Sequence, residues 1–215
     1  MRFYRYGIEL ERLEARHLEM VRLWRNHDAV RLRMRYQEEI TAAEQAEWFR
    51  KLDSRNDWYF VADQNERPFG LFHIKQIDWT RRVGEAGGFV SNPELIGGIQ
   101  AGMGILALMD FAFFILGLEY LEASYHRGHQ EIVRLNRQLG YEIFGTEPDG
   151  FVRARVSGAG YLNAAEKLRR VAARILGEET RLTGTDPWLA DHLKKLNPNG
   201  SPLLESTGEL PATRS

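Results

Sequence analysis

Any chemistry in this chain has to proceed without sulfur nucleophiles. Its 215 residues contain no cysteine, which excludes thiolate catalysis, cysteine zinc sites and a disulfide framework. Metal binding would fall to histidine and carboxylate. His126 and His129 stand three residues apart, a spacing compatible with paired imidazole ligands, but no third ligand is spaced nearby. The expectation is therefore a surface turn and no metal. Arg25, within Trp24-Arg25-Asn26-His27, carries a planar fork of donors that can grip a phosphate from two nitrogens. The alternative is that Trp24 belongs to the core and Arg25 pairs with an acidic surface residue. His73 falls in the middle of a strand-like stretch, either as a satisfied structural imidazole or as a group facing a pocket. The cluster Phe111, Phe113 and Phe114 reads as core, and Arg169, Arg170 and Arg174 read as the solvated face of an amphipathic helix or a partner contact.

The elements that position these groups follow from periodicity. Residues 8–13 alternate apolar and charged side chains, as a half-buried strand does, and Leu18, Val21 and Trp24 then recur at helical spacing. A second short helical stretch passes through Val30 and Met34, and Thr41 with Glu44 forms a capping-box pattern opening a helix that carries Trp48, Phe49 and Leu52. The period then changes to that of strands over 58–62, 68–79 and 82–91, an antiparallel meander that Asn92-Pro93 stops. Gly97-Gly98 leads into an apolar helix over about 100–116 with Gly117 as its C-cap. A strand at 120–125, a helix at 130–139 capped by Gly140, and strands at 141–144 and 152–156 complete the order β-α-α-β-β-β-α-β-α-β-β.

Beyond Gly158-Ala159-Gly160 the composition shifts, and two further amphipathic helices are expected at 163–176 and at 186–196, the second with Pro187 in its first turn. The reading is one domain at 1–157, a C-terminal helical extension at 158–196 that covers a sheet edge or builds a homodimer contact, and a disordered tail at 197–215. The 29 basic and 30 acidic residues nearly cancel, so nothing marks the chain as a nucleic-acid or membrane-surface binder, and a small-molecule partner is expected. No signal-peptide core and no apolar run of transmembrane length appear, so the expected location is cytoplasmic.

A helical lead-in, a three-strand meander, a glycine-bearing turn into a long helix, then strand, helix and strand resemble the GCN5-related N-acetyltransferase (GNAT) superfamily. Local motifs carry the resemblance in the family's order: Leu23-Trp24-Arg25-Asn26-His27, Glu47-Trp48-Phe49, Phe69-Gly70-Leu71, Ile77-Asp78, Gly84-Glu85-Ala86-Gly87-Gly88-Phe89-Val90, Asp110-Phe111-Ala112-Phe113, Leu116-Gly117-Leu118 and Arg134-Leu135-Asn136-Arg137-Gln138-Leu139-Gly140-Tyr141. Within the superfamily they resemble the branch that acetylates the 4-amino group of a nucleotide-linked amino sugar in pseudaminic acid biosynthesis, with ribosomal-protein alanine N-acetyltransferases as close cousins. The implied fold is α/β (α+β), with a central mixed, mostly antiparallel sheet flanked by helices. The implied activity is N-acetyl transfer from acetyl-CoA to a primary amine by direct attack, most simply on an amino-sugar nucleotide, with a protein N-terminus as the second acceptor.

The resemblance also implies a site. The meander's last strand and the strand after the long helix splay apart, and the pantetheine arm pairs with the backbone of Gly88, Phe89, Val90 and Ser91. The pyrophosphate sits at the helix N-terminus, where backbone N–H groups and the helix dipole favour an anion. The family signature there, Gln or Arg, two residues, Gly, one residue, Gly or Ala, is altered in this chain. One register places Ile96, Ile99 and Ala101 at the key positions, and another places Ile99 first, before Gly102-Met103-Gly104. The cradle would then use Gly97, Gly98, Ile99, Gln100, Ala101 and Gly102, with His129 where the family has an Asn on pantetheine. Glu85 is the candidate base, directly or through water, although a solvated or ion-paired strand carboxylate stays open. Asn136 replaces the tyrosine that protonates the leaving thiolate; it can donate a hydrogen bond but is no proton source near neutral pH. Trp24, Arg25, Asn26 and His73 fall on the acceptor side. The altered loop and Asn136 favour a rival of another class, a catalytically silent binding module; Glu85 and the Trp24-Arg25-Asn26 cluster oppose it.

Overall fold

The computed structural model describes residues 1–196, and the expected tail from 197 onward lies outside the described residues. The strands are β1 (Arg2–Arg5), β2 (Ile8–Arg12), β3 (Trp58–Asp63), β4 (Pro68–Asp78), β5 (Val83–Val90), β6 (Tyr120–His126), β7 (Glu142–Thr146), β8 (Phe151–Ser157) and β9 (Thr180–Thr183). The helices are α1 (Leu18–Asn26), α2 (Asp28–Arg31), α3 (Ala42–Lys51), α4 (Ile99–Asp110), α5 (Gln130–Gln138), α6 (Gly158–Leu176) and α7 (Pro187–Leu196). All nine strands form one sheet in the order β7-β8-β6-β5-β4-β3-β2-β1-β9. Every neighbouring pair for which a register is resolved runs antiparallel except β5 with β6. The fold is the mixed, mostly antiparallel sheet with flanking helices that the sequence implies.

Local chemistry accounts for the elements. Tyr6 (φ 52) and Gly7 (φ 72) both take the left-handed conformation, the requirement of a two-residue hairpin turn, and join β1 to β2. The Thr41 and Glu44 capping box forms as expected: the Thr41 N–H donates to Glu44 at 2.8 Å and the Glu44 N–H to the Thr41 hydroxyl at 3.2 Å. The apolar helix is α4, and it passes into a single π-helical stretch, Phe111–Ile115, before Gly117 (φ 66) ends it. Leu106, Met109, Phe111 and Ile115 bury against Phe3, Trp58, Phe60 and Ile74 in the main core. A second, smaller core lies on the opposite side, where Leu13, Val21, Tyr59, Val61 and Leu71 meet Trp24 and Trp48.

Three features depart from the sequence reading. β1 and β9 were not anticipated, and β9 pairs with β1 from Arg2↔Thr183 to Arg5↔Thr180. The helix expected from 163 starts already at Gly158, because the Ser157 hydroxyl accepts from the Gly160 N–H at 3.0 Å and caps it. A Cβ at Gly158 would stand 3.3 Å from the Phe113 ring, so the glycines bring α6 close to the core. Residues 158–196 contribute Tyr161, Ala165, Ala172, Leu182 and Leu189 to that core. Among the described residues no helix is long and apolar enough to cross a membrane.

A buried carboxylate ties these parts together. Asp110, fully buried at the end of α4, accepts from Arg5 at 2.6 Å, Tyr6 at 2.8 Å, Tyr161 at 2.8 Å and Arg169 at 3.0 Å. Arg5 also donates to Thr180 of β9. Burial, followed by the Asp110 charge, pushes the Tyr6 hydroxyl up to about 12, so it donates throughout the working range. Removing one partner of a buried ion cluster leaves the others desolvated and uncompensated, at a cost of about 3–5 kcal/mol. Asp110→Asn is expected to lower unfolding stability by roughly that amount, measured by urea denaturation; a loss under about 1 kcal/mol, the scale of an exposed pair, would show the cluster to be dispensable.

Candidate functional site

β5 and β6 are paired only from Val83↔Tyr120 to Glu85↔Glu122. Beyond Glu85 the two strands part, and β5 keeps its β4 partner as far as Gly70↔Val90. The edge of β5 facing β6 is thus left with unpaired backbone from Ala86 to Val90, which an extended chain can bond as an added strand. Around the gap lies a cleft of about 1270 Å³, walled by α1 and α3, β4 to β6, the start of α4, and α5.

Twelve of the expected site residues line this cleft: Arg25, His73, Glu85, Gly88, Phe89, Val90, Gly97, Gly98, Ala101, Gly102, His129 and Asn136. Trp24, Asn26, Ser91, Ile99 and Gln100 are not among its lining residues. Trp24 packs on the smaller core. Asn26 accepts from the Ile40 N–H at 2.9 Å and donates to the Ile40 carbonyl at 2.8 Å, so both ends of its amide hold a loop. The Ser91 N–H donates to the Phe69 carbonyl at 2.7 Å. Ile99 points to solvent, and Gln100 donates to Gln64 at 2.6 Å.

The α4 N-terminus fits a phosphate. Gly98 is the N-cap and no side chain caps the helix, so the N–H groups of the first turn remain available to an anion. Gly97 (φ 74) and Gly102 have nothing within 4 Å of where a Cβ would stand. The cleft thus presents an unpaired strand edge and, at its end, an uncapped helix N-terminus whose backbone N–H groups are free.

From the cleft outward a charged row crosses the sheet, its Lys75 and Glu85 lining the cleft. Lys75 of β4 opposes Glu85 of β5, Glu85 opposes Glu122 of β6, and Glu122 opposes Arg155 of β8. Lys75 reaches Glu85 at 3.1 Å. Burial alone would raise Glu122, but hydrogen bonds from Arg155 and Arg153 outweigh it and hold the carboxyl low. Glu85 is thus both ion-paired and placed on the cleft wall at the last paired rung before the strands part. Lys75 escaped the sequence reading, although strand parity places it on the face of His73.

His73 lies in a row with Tyr59 and Gly87 across three strands. Its ring packs 5.0 Å from Tyr59, and a Cβ at Gly87 would stand 2.8 Å from its Nε2. Burial, with the Lys75 charge adding to it, pushes His73 down to about 3, so the ring is neutral at ordinary pH. Tyr125 and Tyr141, also missed from sequence, line the cleft on the Asn136 side with hydroxyls raised by burial.

The end of the cleft lined by α1 and the loop after it is rich in arginine. Residues 32–40 are held by Arg25 to the Tyr36 carbonyl at 2.5 Å, Arg31 to the Gln37 carbonyl at 2.7 Å and Arg22 to the Ile40 carbonyl at 3.2 Å. From this loop Arg33 reaches Glu131 at 2.7 Å and Arg35 reaches Glu147 at 2.7 Å on the far wall. Arg25 Nη1 and Arg31 Nε are enclosed and have no hydrogen-bond partner among the described residues. Burial, then the neighbouring Arg31 charge, lowers Arg25, and no carboxylate lies within ion-pair distance of it among the described residues. At the mouth, the His126 and His129 rings are 5.6 Å apart, and His126 Nδ1 accepts from the Gly128 N–H at 3.1 Å within the turn. Among the described residues no group of three or more histidines and carboxylates is placed to hold a metal.

Comparison with known proteins agrees with this geometry. Residues 8–142 match the family model described as the acetyltransferase (GNAT) domain. No curated protein matches the sequence. Among solved structures, a spermidine N-acetyltransferase from Vibrio cholerae in complex with CoA and spermine is 21% identical, with 73% of this chain and 99% of that one covered and a TM-score of 0.65. The dodecameric structure of spermidine N-acetyltransferase from Vibrio cholerae is 18% identical, covering 73% of this chain and 97% of that one, with a TM-score of 0.60. A domain from Methanocaldococcus jannaschii is 15% identical, covering 70% of this chain and 97% of that one, with a TM-score of 0.62. At these identities the likeness is one of fold.

Two outcomes follow from the floor of the cleft. A Cβ at Gly88 would stand 2.5 Å from the Leu71 carbonyl oxygen, so Gly88→Ala is expected to cost about 1–3 kcal/mol by overpacking and to weaken acyl-CoA binding in a titration; unchanged stability and affinity would refute the contact. A histidine whose folded pKa is depressed binds fewer protons than in the unfolded chain, so its contribution to stability falls as pH drops below the unfolded value of about 6.5. Urea midpoints measured at pH 7 and pH 5 are expected to differ less in His73→Phe than in the wild type; equal differences would mean that His73 titrates normally.

Proposed function

We propose, because this chain belongs to the acetyltransferase (GNAT) family, that its cleft acetylates a primary amine on an acceptor carrying an anionic group, most simply a nucleotide-linked amino sugar. The acyl donor is acetyl-CoA. It supplies an activated thioester carbonyl, and the products are an amide and the CoA thiol. The first turn of α4 binds the donor's phosphates, and the open edge of β5 aligns its arm. Glu85 accepts the proton that the incoming ammonium must lose before its nitrogen lone pair can form the C–N bond. An unpaired N–H on β5 is available to the oxyanion that develops as that bond forms. Neutral His73 offers a hydrogen bond without adding positive charge beside a cationic amine. Asn136 can donate to the departing sulfur, and the proton that sulfur takes up comes from water or another group.

Arg25 carries the choice of acceptor. It stands on the cleft wall, desolvated, beside Arg31 and without a carboxylate partner, and a phosphate or carboxylate on the substrate would supply the missing counter-charge. A polyamine acceptor, as in the Vibrio cholerae structures, is the second reading. It draws on Glu131 and Glu147, but Arg33 and Arg35 already occupy both.

Acetyl-CoA-dependent turnover is expected with a nucleotide-linked amino sugar and not with spermidine or a peptide amine; the reverse order would overturn the acceptor assignment. Arg25→Ala is expected to raise KM for the anionic acceptor about tenfold, the worth of one charge-assisted hydrogen bond, with kcat little changed. Removing a general base typically costs about 10²–10⁴ in rate, so Glu85→Gln is expected to lower kcat/KM by at least about 100-fold. A pH profile for Glu85→Gln that overlays the wild type would remove Glu85 from the mechanism.

A further inference from the structure

A second hollow, of about 410 Å³, lies at the opposite end of the β4–β5 pair and shares no lining residue with the cleft. Its walls are aromatic and basic. Trp79 at the end of β4 faces Trp188 of α7, with ring centroids 5.1 Å apart at 61°. His192, one turn along α7, stacks on Trp188 at 5.0 Å and 11°. Arg55 and Arg82 flank these rings, and Leu116 forms part of the floor.

The walls are fixed by hydrogen bonds and by one another: besides its stack on His192, Trp188 meets Trp58 at 6.0 Å, and Trp79 lies edge-on to His192 at 5.1 Å. Trp79 Nε1 donates to Asn56 at 2.9 Å, and His192 Nε2 lies 2.9 Å from the Leu116 carbonyl. Arg82 donates to the Gly117 carbonyl at 2.8 Å and pairs with Glu119 at 3.2 Å, so its charge is matched. Arg55 has no side-chain hydrogen bond or ion pair among the described residues; its backbone N–H donates to Asp53 at 2.8 Å and its carbonyl accepts from Trp58 Nε1 at 2.9 Å. The hollow therefore combines a rigid aromatic wall with one unmatched guanidinium. Its volume holds one or two fused rings rather than a nucleotide with its sugar and phosphates.

We infer that this hollow is a binding site for a small planar aromatic carboxylate. The ring packs against the Trp79, Trp188 and His192 wall, where offset and edge contacts are favourable, and the carboxylate takes the Arg55 fork. The site is built jointly by the matched domain and by α7, which lies beyond residues 8–142. Occupancy would tie α7 to the end of the meander and raise stability by mass action.

The test is calorimetric titration of the full chain with 2-naphthoate, alone and with saturating acetyl-CoA. Saturable binding that acetyl-CoA leaves unchanged is expected, together with a raised Tm. Both 2-naphthylmethanol, which lacks the charge, and cyclohexanecarboxylate, which lacks the aromatic ring, are expected to bind more weakly. Arg55→Ala, at an exposed side chain with no partner to lose, is expected to weaken naphthoate about tenfold, and Trp188→Phe is expected to weaken it while α7 keeps an apolar anchor. The inference is overturned by any of four results: no saturable heat at millimolar naphthoate, displacement by acetyl-CoA, wild-type affinity in Arg55→Ala, or equal binding of cyclohexanecarboxylate.

Discussion

Asp110 has no access to water, and its charge is held by two guanidinium and two phenol groups drawn from β1, the hairpin turn and α6. An ion in that position is tolerable only when every partner is present, since desolvation of an unmatched charge costs several kcal/mol. The carboxylate therefore fixes the rotation of α4 about its axis. That rotation determines where the other end of the helix, at Gly98, aims its free N–H groups. The strained, non-glycine φ of Tyr6 is compensated in the same place, because its hydroxyl is one of the four donors.

The site is a defect in an otherwise continuous sheet. Nine strands pair side by side in one sheet, and at β5 and β6 the ladder stops halfway, after Glu85↔Glu122. Two like charges face each other at that last rung, each neutralised from its outer side, Glu85 by Lys75 and Glu122 by Arg153 and Arg155. Past the rung, Gly87 and Gly88 let β4 and β5 approach more closely than side chains would permit. The result is an open strand edge beside an ion-paired carboxylate, held by the parts of the sheet that did not separate.

What could be read from the sequence was local. The meander, the Thr41 capping box, α4 and the cap at Gly117 each carry their signal within a few residues, and each formed. β1 and β9 carry no such signal: each is four residues long, and the inward residues of β1 include Arg5, whose burial depends on an aspartate 105 positions away. The same reason separates Asn26 from Arg25. Both are polar residues at the end of α1, but the task of Asn26 depends on Ile40, and sequence spacing does not show that the 32–40 loop folds back. Residues drawn from backbone logic, Gly88, Gly97, Gly98 and Gly102, came together on the cleft, whereas Lys75, Tyr125 and Tyr141 required strand register to be seen.

The pairing of β9 with β1 also orders events while the chain is being made. On the ribosome, β1 emerges first and finds β2 at once through a two-residue turn, but the strand on its other side follows only after some 175 further residues. Asp110 is synthesised well before Tyr161 and Arg169, so the nascent chain carries a carboxylate built for the interior with half its donors missing. Contacts this distant in sequence form late and slowly. Full matching of the Asp110 charge at the end of α4 therefore waits until α6 has been synthesised.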